Sequence, residues 1–143
     1  MIILNTQFSF NPLIIVNNNQ KLVTKILPTL EKFIHLFPQK SMHNGELLQT
    51  FPVSGLAKQQ HTLLQNFLFD QHLLGSYVIK GHFANPTQTH FWLRINDLLI
   101  DLNFGQFKNK NLEISPLLNE YFERQIFVCD QPQNLIYRLY HHG

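Results

Sequence analysis

His90 and Asp101 are the first candidates for chemistry in this chain. Between them run His90-Phe91-Trp92-Leu93-Arg94-Ile95, then Asn96-Asp97, then Leu98-Leu99-Ile100-Asp101-Leu102. The two apolar runs are aromatic or branched and read as strands, and Asn96-Asp97 reads as a tight antiparallel hairpin. Folded there, His90 at the start of one strand and Asp101 at the end of the next come to the same end of a sheet. A carboxylate that accepts from one imidazole nitrogen fixes the tautomer and raises the basicity of the other, which is what a general base beside a thiol needs. Taken singly, the same residues have plainer uses. His90 and Trp92 are two amphipathic side chains on one strand face, and Asp101 is a cap for the loop Asn103 to Gly105.

The elements that must position this pair are legible upstream. Leu22, Ile26, Leu30, Phe33 and Ile34 recur at helical spacing from about Gln20 to Phe37, with Pro28 as a start or a kink and Pro38 as the end. After a polar connection around Ser41 to Glu46 and a turn at Phe51-Pro52-Val53-Ser54-Gly55, Leu56, Leu63, Leu64, Phe67 and Leu68 mark a central helix from about Leu56 to His72. Ser54 is its expected N-cap and Gly75 its stop signal. Tyr77-Val78-Ile79 opens the strands. The tail offers a helix near Pro116 to Arg124, a strand at Ile126-Phe127-Val128 and an apolar segment from Leu135 to Tyr140. The Phe33, Phe37, Phe67 and Phe69 stripe is expected in the core.

His90-Phe91-Trp92 followed by Ile100-Asp101-Leu102-Asn103 resembles the papain-like and transglutaminase-like cysteine enzymes, in which a His-x-Trp strand precedes a strand ending in Ile-Asp-hydroxyl or similar. The match covers roughly residues 51 to 107. It implies an α+β fold with a central helix on an antiparallel sheet spanning residues 1–143 as one domain, and a nucleophile at the N-terminus of that helix. It further implies His90 as base, Asp101 as its orienter, and peptide, amide or glutamine substrates.

Where the resemblance calls for cysteine, this chain has Leu56 or Ala57, and neither can attack a carbonyl. Two explanations fit: a chain that lacks the thiol by nature, or one whose cysteine at position 57 was replaced by alanine. A third reading takes the single cysteine, Cys129, as nucleophile in the order His90, Asp101, Cys129, with a helix opening at Asp130-Gln131-Pro132. Against it, Phe127-Val128-Cys129 reads as the end of a buried strand, where cysteine serves as a small hydrophobe.

Composition narrows the function. With 44% hydrophobic and 13% aromatic residues in 143, the chain has material for one core. Charged residues are only 14%, so Asn, Gln, Ser, Thr and His carry the polar surface, and the net charge of +2 comes from scattered Lys and Arg with no nucleic-acid stripe. One cysteine excludes an intramolecular disulfide, no apolar run approaches a membrane span, and no basic leader opens the chain, so a cytoplasmic domain is expected. The eight histidines lack a zinc-like spacing, with His35, His43, His61, His72 and His82 spread out and His141-His142 read as a tail, and no Gly-rich phosphate loop is present. No metal and no cofactor is expected. The reading that follows is a non-catalytic domain of this superfamily that binds another protein, as an immunity, inhibitor or adaptor protein. The rival is a cysteine hydrolase or acyltransferase inactivated at position 57.

Overall fold

The computed structural model describes residues 2–4, 12–17, 19–36, 41–43, 46–48, 54–107 and 121–142. Its architecture is α+β. Strands β1 (Ile2–Leu4) and β2 (Leu13–Ile15) precede helix α1 (Gln20–Leu36), and a two-stranded ribbon, β3 (Ser41–His43) and β4 (Glu46–Leu48), precedes helix α2 (Ser54–Asp70). Strands β5 (Ser76–Phe83), β6 (Thr89–Ile95), β7 (Leu98–Asp101), β8 (Phe127–Cys129) and β9 (Tyr140–His142) complete a seven-stranded sheet in the order β1-β2-β8-β7-β6-β5-β9. The sheet is mixed rather than antiparallel, because β2 runs parallel to β8. That pairing needs the whole intervening chain as its crossover, so no local turn announces it.

Alternation along the strands sorts the core into two layers. Leu93, Ile95, Leu98, Ile100, Val128 and Ile14 face Val23, Ile26, Leu27, Leu30 and Phe33 of α1 and Leu64 and Leu68 of α2. The other face carries Trp92, Leu99, Phe127, Cys129 and Leu13 and is covered by Phe104 and Phe107 of a 3-10 turn (Phe104–Phe107), Phe122 of another (Tyr121–Glu123), and Tyr140. Strand β7 is buried on both faces, which accounts for its unbroken Leu-Leu-Ile run. Fully burying each such side chain stabilises the fold by about 1.5–3 kcal/mol relative to exposure.

Helix ends are fixed by specific bonds. Asn19 caps α1 through its carbonyl to the Val23 amide, and the buried Asp130 carboxylate, arriving from the end of β8, accepts the Asn17 and Asn19 amides at 2.8 and 2.7 Å. A carboxylate there also faces the positive end of the helix dipole. Pro28 lies inside α1 on an exposed position. Helix α2 ends at Asp70, and the turn that closes it is at His72 rather than at Gly75. With φ +64°, His72 takes the left-handed position, and the His72-to-Phe69 and Leu73-to-Leu68 amide bonds close a Schellman turn. Leu73 then packs on the core. Phe69, expected inside, is 65% exposed, whereas Phe33 and Phe67 meet edge to face across the two helices.

The tail differs from expectation. Leu135 to Tyr140 forms a 3-10 turn (Tyr137–Leu139) running into β9, so His141 and His142 belong to the sheet. The expected turn at 51–55, helix at 116–124 and Ser54 cap fall wholly or partly outside the described residues, and 121–123 is a 3-10 turn.

The close approach of β9 to β5 depends on Gly81. A Cβ there would meet the His141 carbonyl oxygen and the Trp92 ring at 2.5 Å. Gly81→Ala is therefore expected to destabilise the protein by about 1–3 kcal/mol, measured by urea unfolding. The amides of β9 should exchange faster with solvent in that variant.

Candidate functional site

The two-residue turn at Asn96-Asp97, with Asn96 at φ +53°, sets the β6–β7 register at Ile95 opposite Leu98 and Leu93 opposite Ile100. Carried along the pair, this register puts Asp101 across from Trp92 and diagonal to His90, all on the face away from the helices. His90 Nε2 and Asp101 Oδ2 are 2.7 Å apart and both residues are fully buried. The same Oδ2 accepts the Tyr140 hydroxyl at 2.6 Å, and Oδ1 accepts the Asn103 amide at 2.8 Å. Asp101 thus orients a histidine and caps the following loop at once.

Burial works against the charged form of Asp101, but its electrostatic interaction with the neighbouring His90 and the hydrogen bonds that His90 and Tyr140 donate prevail and hold its pKa below the usual value. Burial, together with the Asp101 charge, pushes the Tyr140 phenol well above its ordinary value, so it stays protonated and donates.

Because a carboxylate only accepts, His90 Nε2 carries the proton and Nδ1 is left as the acceptor. That nitrogen is occupied: the Gln106 side-chain amide sits 3.0 Å from it. Gln106 is half-buried and comes from the 3-10 turn after β7. Phe107 packs edge-on against the His90 ring at a centroid distance of 4.8 Å, with Phe83, Trp92 and Tyr140 around it. The imidazole is therefore enclosed by aromatic rings and hydrogen-bonded at both nitrogens.

Helix α2 reaches the same place through His61. Ala57 and His61 lie on the stripe that continues as Leu64 and Leu68, and Ala57 and His61 are fully buried. His61 Nδ1 donates to the Ala57 carbonyl at 2.7 Å and Nε2 accepts the Leu102 amide at 3.0 Å. Its Nε2 lies 3.9 Å from Asp101 Oδ1. Burial depresses the His61 pKa to about 4, with the nearby Asp101 opposing and His90 reinforcing the shift, so His61 is neutral near pH 7. It is a structural tie between the first turn of α2 and the end of β7. An apolar stripe with a histidine in it was the available signal for this residue.

Ala57 thus stands in the first turn of α2, linked through His61 to the residue that follows Asp101. The Leu56 side chain lies outside the described residues. Cys129 is placed differently: it is buried in the sheet opposite Leu99, and its sulfur accepts the Gln131 amide at 3.3 Å. Burial pushes the thiol up to about 12. No helix opens at Asp130; the chain makes turns there before the 3-10 turn at Tyr137–Leu139. A buried neutral thiol with no helix behind it is a core residue. Among the described residues, no three His, Cys, Asp or Glu side chains group so as to hold a metal ion, and no helix is long and apolar enough to cross a membrane.

No protein-family model, no curated protein and no solved structure matches the chain.

Two measurements follow from this network. Since the His61 pKa is lower folded than unfolded, the unfolded chain binds the proton first as pH falls. Stability contributed by the neutral ring is full above about pH 6.5 and is lost progressively toward pH 4, by roughly 3 kcal/mol. Urea titrations at stepped pH should show that slope in the native protein and a flatter one in His61→Gln, which should be less stable at pH 7. Tyr140→Phe removes one charged hydrogen bond and should cost about 1.5–3 kcal/mol, read by thermal unfolding at neutral pH.

Proposed function

We propose that this chain is a non-catalytic domain of the papain and transglutaminase type that acts by binding another protein, in an immunity, inhibitor or adaptor role. The observation that carries the reading is the occupied His90. A general base for a thiol needs one imidazole nitrogen free to face it, and here Asp101 holds one nitrogen while the Gln106 amide fills the other. Position 57, in the first turn of α2, carries a methyl group. What would be a proton relay in an enzyme serves as a buried polar strut. The outer face of α2, where Leu63 is 45% exposed beside Lys58, Gln59 and Thr62, offers a mixed surface with one apolar side chain that a protein partner would cover.

One observation favours a second reading, that of a cysteine hydrolase or acyltransferase whose nucleophile has been replaced. The His90–Asp101 bond is short, and Ala57 is tied through His61 to the residue following Asp101. Retained geometry of this kind would serve catalysis if sulfur returned and Gln106 moved aside.

Ala57→Cys decides between them. In that variant and in Ala57→Cys combined with Gln106→Ala, alkylation by iodoacetamide is followed across pH with peptide mapping to separate it from Cys129. Amide hydrolysis and acyl transfer are assayed on glutamine-containing peptides. The non-catalytic reading expects slow alkylation at position 57 with the pH dependence of an ordinary or buried thiol, and no turnover in either variant. Rapid alkylation below neutral pH with turnover would establish the enzyme reading instead.

A further inference from the structure

Strand β9 ends the sheet and pairs with β5 alone, over three residues. In that register His82 of β5 stands directly opposite His141, with Gly81 opposite His142 to one side and Phe83 opposite Tyr140 to the other. Residues opposite one another share a face of the sheet, and alternation assigns the faces. Val78 is opposite Leu93, which packs on the helices, so the even-numbered residues of β5, His82 among them, lie on the helix side. Phe83 and Tyr140 belong to the other layer. His142, next to His141 on the strand, therefore points away from the pair.

The His82 and His141 imidazoles stack with centroids 4.9 Å apart and planes 29° from parallel. His82 is half-buried and His141 exposed, and among the described residues neither ring has a hydrogen bond or an ion pair. In this they differ from His90 and His61, whose nitrogens are all engaged. Imidazole is the commonest metal ligand, through a nitrogen lone pair that no proton or donor occupies.

We propose that His82 and His141 form a site for a borderline divalent ion of the zinc class, which clips β9 to β5. Imidazole nitrogens suit zinc, copper and nickel, whereas magnesium and calcium take oxygen ligands. A tetrahedral ion held at about 2.0–2.1 Å by two imidazoles needs their nitrogens about 3.3 Å apart. Directly opposite side chains start from Cβ atoms about 4.5–5.5 Å apart, so the rings reach that spacing by turning about their own side-chain bonds with the backbone in place. Among the described residues no third His, Cys, Asp or Glu completes the set, so water fills the remaining positions and binding is weaker than at a four-ligand structural site. Lys80, on the same face two residues before His82, is exposed and can hold its charge in water. Holding β9 also steadies the buried network, because β9 begins with Tyr140, whose hydroxyl donates to Asp101 at 2.6 Å.

Zinc chloride added to the full chain tests this, with magnesium chloride as the control ion. The ring nitrogens of His82 and His141 should shift together in a histidine proton–nitrogen spectrum on adding zinc, and stay in place on adding magnesium. Once free zinc is about ten times its dissociation constant, the backbone amides of β9 should exchange with solvent roughly tenfold more slowly. His141→Gln, at an exposed position that leaves the core untouched, should abolish both effects, and so should His82→Gln. His142→Gln should keep both. Rings of His82 and His141 that do not move at millimolar zinc, binding that survives His82→Gln or His141→Gln, or binding that is lost in His142→Gln would overturn the proposal.

Discussion

A carboxylate withdrawn from water must be surrounded by donors, and the site is organised by meeting that demand at Asp101. An ion of this kind left unpaired in a protein interior costs several kcal/mol, so the groups that satisfy it cannot be spared. They come from three places: His90 on β6, Tyr140 at the start of β9, and the Asn103 amide beyond β7. Each donor ties a different element to the end of β7. The last strand is thereby anchored across the sheet, and the first turn of α2 is drawn to the same point through the Ala57–His61–Leu102 bridge.

The same demand bears on chemistry. Holding a negative charge in an aromatic enclosure fixes the histidine beside it in one tautomer, which is how a cysteine enzyme prepares its base. Preparation becomes catalysis only if the second nitrogen meets a reacting atom. In this chain it meets Gln106, and the ring is screened by Phe107 and its aromatic neighbours. The network suits a polar core that specifies register, with Trp92, Tyr140 and Phe127 packed around it.

Much of this was legible in the sequence because it is local. The His90–Asp101 pairing follows from a two-residue turn and strand alternation, and both helices follow from apolar periodicity within a residue or two of their ends. What escaped depends on distant contacts. Tyr140 arrives from the far end of the chain, Asp130 caps a helix begun more than a hundred residues earlier, and the parallel β2–β8 pairing joins segments with no shared turn. Gln106 lay within the informative stretch, but a glutamine carries no periodic signal. His61 was set among scattered histidines, although its place on the Ala57, Leu64, Leu68 stripe marked it as a core residue. His72 took the left-handed position that glycine usually fills, so the helix ended earlier than Gly75 suggested.

The most direct test is a long-range proton–nitrogen correlation spectrum of the histidine side chains at neutral pH. His90 should appear as one fixed tautomer, protonated at Nε2 with Nδ1 accepting, and its Nδ1 resonance should shift in Gln106→Ala. His61 should show the opposite tautomer, protonated at Nδ1. A His90 ring that averages between tautomers, or whose Nδ1 is unmoved by Gln106→Ala, would contradict the account of a base closed off inside the fold.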